Sequence, residues 1–378
     1  MKSGGTLYVD AIDRKPPGLI WIFALVGSIF GWANIHVIHF LIFFLTLGLA
    51  IAAARFSGSI WSFWLYILFS SALLRGILAA NAEYWMLLFL APACHLCIQA
   101  FLHRTSSAHR ALQLSFATLL AALSCLMKQY GGFIYACVYL SAWIYFCFTQ
   151  SKRNEKWSLS LWSSLGSFLS LVLVFGSVYF YFASKNAASD FLYYAGLETM
   201  GYMTQDSAQL NQQTKIWWVL LGIFGSWFPL WILFLVKLPR LYKDAWFFLW
   251  MIGALAALST AFFSGRHYTH YFVPAIWFLC VALGPVAQEQ LNRLSQLKRW
   301  LMLSFLTLPF CVYLPLNLFQ EAFHKNWAFS KARQDQMKEL AEWVQENSSP
   351  ADRVSVWGMA SQIYVMSQRG SATAYIFA

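Results

Sequence analysis

Near the start of the chain, Asp10, Asp13, Arg14 and Lys15 place two carboxylates and two cations within six residues. A carboxylate can take the proton of a hydroxyl, and a fixed ammonium can face a phosphate, so this loop could hold a phosphate beside a reacting hydroxyl. Tyr8 stands just ahead of it, and Pro16-Pro17 follow. A Pro-Pro pair is excluded from helix interiors but suits a helix start, so Gly18 onward reads as a helix hung from a rigid, charged loop. The bland alternative is a solvated loop with flanking charges.

Further polar groups are spaced along the chain in short connections: Asn81 and Glu83, Lys128-Gln129-Tyr130, and the segment Gly265 to Tyr271 with Arg266, His267 and His270. Charges at membrane depth are costly and usually face a cavity or a partner. Each alone reads as a snorkelling side chain at a span end; together with Asp10, Asp13 and Lys15 they predict a polar cavity at one membrane interface. The 185–214 loop adds Asp190, Tyr193, Tyr194, Glu198, Tyr202 and Asp206, a mixture that suits carbohydrate and equally a membrane-interface belt.

The elements that must position these groups are membrane helices. The chain is 60% hydrophobic, 19% aromatic and only 11% charged, with a mean hydropathy of +0.55, whereas soluble domains run near ~25% charged. The net charge of +11 is therefore a matter of loop lysines and arginines rather than of nucleic acid. All seven cysteines fall inside apolar runs, which excludes a disulfide framework or a zinc cluster, and Cys94-His95-Leu96-Cys97 lies mid-span despite its spacing. The expected fold class is an all-α polytopic membrane protein. Its spans fall near 34–54, 59–79, 84–103, 110–127, 130–149, 157–183, 215–236, 245–263, 270–287 and 300–318. The apolar run 18–31 is too short to cross and reads as a re-entrant or interfacial helix.

The basic residues give orientation. Arg55, Arg104, Arg110, Lys152, Arg153, Lys156, Lys237, Arg240, Lys243, Arg293, Lys298 and Arg299 fall on one side, against Arg75, Lys128, Lys185, Lys215 and Arg266 on the other. The richer side is assigned to the cytoplasm. The 1–17 loop, the 185–214 loop, Arg266–His270 and the tail are then extracytoplasmic. Residues 1–318 form the transmembrane domain and 319–378 a partial α/β segment, with a helix over 331–346, strands at 354–358 and 373–377, and a helix over 361–368. An N-terminus outside the cytoplasm and a barely finished second strand predict a first span upstream and more chain downstream.

The order of these features resembles the bacterial membrane glycosyltransferases of the GT-C superfamily, in the branch related to protein O-mannosyltransferases and lipid A aminoarabinose transferases. The residues that carry it are Tyr8-x-Asp10-x-x-Asp13-x-Lys15-Pro16-Pro17 before a short helix, then Ala54-Arg55-Phe-Ser-Gly58, Asn81-x-Glu83, Lys128, the Arg266/His270 segment, Val356-Trp357-Gly358 and Ile363-Tyr364. The resemblance covers nearly the whole chain. It implies transfer of a sugar from a polyprenyl-phosphate donor to an envelope glycan, lipid or protein, with inversion, on the extracytoplasmic face of the bacterial inner membrane. The implied partners are that donor, the acceptor and the bilayer, with no nucleic acid. Lys15 carries over as a contact to the lipid phosphate, with Arg266, His267 and His270 as a second cationic contact. The family's usual base lies upstream of the Lys-Pro-Pro loop, so Asp10 and Asp13 are candidates for orienting substrate, for a divalent metal that some members use, and by default for the base. The competing classes are a transporter or lipid flippase, which calls for charges near the midplane and paired halves, and a non-catalytic membrane scaffold.

Overall fold

The computed structural model describes residues 6–9, 15–31, 35–71, 81–103, 106–149, 153–198, 225–263, 269–323, 325–354, 363 and 366–371. Helices dominate them. Helix α1 (Pro17–Phe30) starts with a proline at its first position behind Pro16, whose φ of −59° and ψ of 154° are polyproline-like, as the Pro-Pro pair predicts. There follow α2 (Ile35–Ser57), α3 (Ile60–Ser71), α4 (Ala82–Leu102), α5 (Ser107–Met127), α6 (Tyr130–Thr149), α7 (Arg153–Ala183), the short α8 (Ala188–Leu192), α9 (Phe228–Lys237), α10 (Ala245–Phe263), α11 (Val273–Arg293), α12 (Gln296–Phe323) and α13 (Lys325–Glu346). Seven helices among the described residues are long and apolar enough to cross a membrane: Val37–Ser57, Ala82–Leu102, Ser107–Met127, Tyr130–Thr149, Trp162–Ala183, Ala245–Phe262 and His270–Arg293. The expected spans at 59–79 and 215–236 are represented by the shorter apolar helices α3 and α9, their remainders lying outside the described residues, and 300–318 falls within α12.

The chain divides into two compact units, residues 39–177 with 203–314, and residues 1–38 with 178–202 and 315–378. In the larger unit α11 is central: it packs on α10, α3, α9 and α4, and Val273 to Gly284 is buried throughout. Lipid supplies no hydrophobic contrast, so close packing and hydrogen bonds must hold such helices together. Gly284 meets the Ser62 backbone so closely that a Cβ would lie 2.6 Å from its nitrogen. The Trp277 indole donates to the Leu49 carbonyl at 2.9 Å, joining α11 to α2. Around it, Phe56 stacks on His95 at 4.0 Å and Trp250 lies edge-on to Trp277 at 5.8 Å. Helices α5, α6 and α7 are joined through Thr118, whose hydroxyl donates to Ser167 Oγ at 3.0 Å and lies 3.1 Å from the Tyr135 hydroxyl. By contrast α7 exposes Phe168, Leu169, Leu173 and Phe180, the pattern of a helix facing lipid.

In the smaller unit, Trp21 of α1 lies edge-on to Tyr181 at 5.5 Å, and Phe182 stacks on Phe191 at 4.7 Å. Among the described residues the tail contains one parallel strand pair, β1 (Arg353–Val354) with β2 (Gly370–Ser371). The expected strand at 373–377 lies outside the described residues. Ahead of β2, Gln368 has a φ of 54°, in the left-handed region, and ends the preceding turn of helix. Buried Arg369 fixes this corner, its guanidinium donating to the Gln345 carbonyl at 2.7 Å and to Ser348 Oγ at 2.8 Å.

Candidate functional site

In the larger unit a polar cluster forms where four helix ends meet. Glu83 lies in the first turn of α4, behind Asn81 at the N-cap position, and Lys128 is the C-cap residue of α5. An acidic group at a helix N-terminus and a cation at a C-terminus each suit the local backbone dipole. Lys128 Nζ and Glu83 Oε1 are 2.9 Å apart, with side-chain exposures of 22% and 1%, so the carboxylate is the buried partner. The Tyr130 hydroxyl donates to the same Glu83 oxygen at 3.1 Å. Lys128 also sits over the Tyr271 ring at 4.6 Å and nearer the edge of reach over Tyr130 at 5.6 Å, distances at which a cation is attracted to a ring face. His270, edge-on to Tyr271 at 4.6 Å, lies within electrostatic reach of Glu83 and Lys128.

The turn that presents Lys128 and Tyr130 is tightly made. Gly131 and Gly132 donate to the Lys128 and Gln129 carbonyls at 3.0 and 3.2 Å. A Cβ on Gly131 would lie 2.6 Å from Ser124 Oγ and 3.0 Å from Met86 Cγ, so the start of α6 is pressed against both α5 and α4. Burial by itself pushes the Lys128 ammonium down, but the Glu83 carboxylate and Tyr271 more than reverse this, and the group is held above the ordinary lysine value. It is a permanent cation at neutral pH.

In the smaller unit the charged loop is described at its two ends. Lys15 is exposed. Tyr8 is not: it is 1% exposed, its ring lies 5.2 Å from Phe182 and 5.7 Å from Phe191, and its hydroxyl donates to the Lys15 carbonyl at 2.8 Å. Its φ of 71° is in the left-handed region, which strains a non-glycine residue by about 1–3 kcal/mol. Asp10, Asp13, Arg266 and His267 lie outside the described residues. Of the predicted site residues, then, Glu83 and Lys128 are brought into direct contact, with His270 close by and Asn81 at the N-cap just ahead of Glu83. Tyr8 turns its hydroxyl to the backbone. Tyr130 and Tyr271, which the sequence offered only as members of their polar segments, join the cluster. Among the described residues no group of three or more His, Cys, Asp or Glu could hold a metal ion.

No protein-family model matches the chain, and no curated protein sequence matches it. Solved structures do. The crystal structure of ArnT from Cupriavidus metallidurans bound to undecaprenyl phosphate matches with a TM-score of 0.63 at 14% identity, over 96% of this chain and 76% of that one. This chain and that structure share a fold. The Archaeoglobus fulgidus oligosaccharyltransferase in its apo form gives a TM-score of 0.54 at 14% identity, over 94% of this chain. AglB from the same organism, in complex with an inhibitory peptide and a dolichol-phosphate, gives 0.52 at 12%. This chain spans 56% of the length of each of those two proteins. The likeness at such identities is one of fold.

Proposed function

We propose that the protein is a membrane glycosyltransferase that moves a sugar from a polyprenyl-phosphate carrier to an envelope glycan, lipid or protein on the extracytoplasmic face of the bacterial inner membrane. The observation that carries this is the likeness, over nearly the whole chain, to a structure holding undecaprenyl phosphate, in a sequence whose Lys15-Pro16-Pro17 opens a short helix. In the proposed reaction an aspartate takes the acceptor's hydroxyl proton and the freed oxygen attacks the anomeric carbon from the face opposite the phosphate. The carbon–phosphate-oxygen bond breaks, its electron pair stays with the lipid phosphate, and the anomeric configuration inverts. Within the charged loop, Asp10 and Asp13 are the candidates for that aspartate, by default.

The leaving phosphate gains negative charge as that bond breaks, and a fixed cation favours the transition state over the ground state. Lys15 is assigned this role, with Arg266, His267 and His270 as a second cationic contact. The test is transfer from undecaprenyl-phosphate donors carrying a hexose or a pentose, read as released undecaprenyl phosphate. Lys15→Ala is expected to lower turnover by roughly 10²–10³-fold, the size of losing one oxyanion contact. Turnover within twofold of the parent would overturn the assignment of Lys15, and absence of transfer from every donor would overturn the function.

A further inference from the structure

We propose that Lys128 and Tyr271 are positioning residues: the Lys128 ammonium, aimed by the Glu83 carboxylate, clamps the Tyr271 ring and so fixes the turn Thr269–Phe272 that carries His270. The bearing of this on the donor rests on the reading of His270 just given; the clamp itself holds whatever else the imidazole touches. A lysine beside a half-buried tyrosine is ordinary packing where the long side chain can swing away. Here it is held. Its stem leaves the C-cap position of α5, and its nitrogen lies 2.9 Å from Glu83 Oε1. The same oxygen accepts from the Tyr130 hydroxyl at 3.1 Å, which sets the place of the carboxylate in turn. From that point the ammonium lies 4.6 Å from the centre of the Tyr271 ring, within the range of attraction to a ring face.

The turn gains from a hold supplied from outside. It leads straight into α11, whose N-cap residue, Phe272, makes no side-chain capping hydrogen bond, so no capping oxygen gathers in the residues ahead of the helix. Phe272 itself is fully buried, edge-on to Trp227 at 6.1 Å and to Phe262 at 5.8 Å. Tyr271 and His270 are half-buried, and their rings meet edge-on at 4.6 Å. The core therefore fixes the last residue of the turn, and Lys128 fixes the ring of the one before it. That ring is the surface against which the His270 imidazole stands. The ion pair draws on α4 and α5, its supporting hydroxyl on α6, and the ring on the approach to α11, so one contact ties the start of the central helix to three helix ends. An attraction of this kind is worth most where water is kept from the cation, and the Lys128 side chain is only 22% exposed.

Tyr271→Leu keeps apolar bulk and removes the ring face, whereas Tyr271→Phe keeps the ring. Hydrogen exchange of the backbone amides of residues 269–273, followed by mass spectrometry on the full chain in nanodiscs, reads the clamp. In Tyr271→Leu these amides are expected to exchange about five- to thirtyfold faster, the population change from losing a partly desolvated cation–π contact, with α10 and the rest of α11 unchanged. In a Lys128→Met background the same substitution is expected to change them less than twofold, because the cation is already gone. No effect of Tyr271→Leu, an effect as large in that background as in the parent, or an equal effect from Tyr271→Phe overturns the clamp. Binding of undecaprenyl phosphate reads the positioning role. It is expected to weaken about three- to tenfold in Tyr271→Leu, the size of one net hydrogen bond to the phosphate, and at least as much in His270→Ala. Binding that weakens in His270→Ala but not in Tyr271→Leu overturns the positioning role and leaves the function standing. Binding unchanged in His270→Ala overturns the positioning role together with the reading of His270 as a phosphate contact.

Discussion

Lys128→Met isolates the interaction at the centre of the polar cluster. At 2.9 Å and an effective dielectric of about 20, the attraction between the two charges is roughly 6 kcal/mol before desolvation is counted. The cation is 22% exposed and the carboxylate 1%, so removing the lysine strands the buried member with the Tyr130 hydroxyl as its remaining donor from this set. Leaving one charge of a buried pair uncompensated costs about 3–5 kcal/mol. Glu83 can escape by taking up a proton, but from an ordinary carboxylate value near ~4.3 this costs roughly 3.7 kcal/mol at pH 7. The two routes agree, and a loss of about 3–4 kcal/mol is expected. Glu83→Gln should be milder, at about 1–3 kcal/mol, because the surviving lysine can reach water. The double variant should fall well short of the sum, with a coupling of at least about 2 kcal/mol. Reversible unfolding of the purified protein in mixed micelles, titrated with SDS, measures all three. Additive single effects, or Lys128→Met within about 1 kcal/mol of the parent, would refute the reasoning.

The pH dependence of the pair follows from its sign. The folded-state value of Lys128 is raised, so its contribution is fully present below the ordinary lysine value of about 10.4 and is lost as pH rises through the folded value; the same titration repeated from pH 7 to pH 11 should show a loss only at the top of that range, and one that Lys128→Met abolishes. Gly131→Val should destabilise by about 1–3 kcal/mol through overpacking, since the space for even a Cβ is taken by Ser124 and Met86, and Gly131→Ala should fall between it and the parent in the same assay. Trp277→Phe removes the bond to the Leu49 carbonyl while keeping an aromatic core, and should cost about 1–2 kcal/mol, read as an earlier SDS midpoint.

How much of this could be read from the chain depends on how local the signal is. The spans were legible because burial in lipid writes itself into unbroken apolar runs, and α1 because Pro16-Pro17 fix its first turn. Glu83 and Lys128 were legible as polar residues at span ends, but their contact was not: 45 positions separate them, and the meeting depends on α4, α5 and α6 packing together. Tyr130 and Tyr271 carry no local mark that tells a cation-facing ring from an interface anchor. Tyr8 was legible as a polar residue ahead of the charged loop, but its burial was not, because the phenylalanines against its ring come from around position 190.

The placement of Glu83 at the beginning of one helix and Lys128 at the end of the next has an evolutionary consequence. In most ion pairs the two signs can trade places, because each charge answers only to the other. Here each also answers to the direction of its own chain, Glu83 to the amide end of α4 and Lys128 to the carbonyl end of α5. A swapped pair would meet the wrong pole at both positions, at roughly 0.6–2 kcal/mol apiece on going from favourable to unfavourable. The reciprocal exchange that lets surface pairs drift between lineages is closed to this one. Descendants of the chain can keep the pair as it stands or lose both charges together, and the polarity of this corner is inherited with the running direction of the helices.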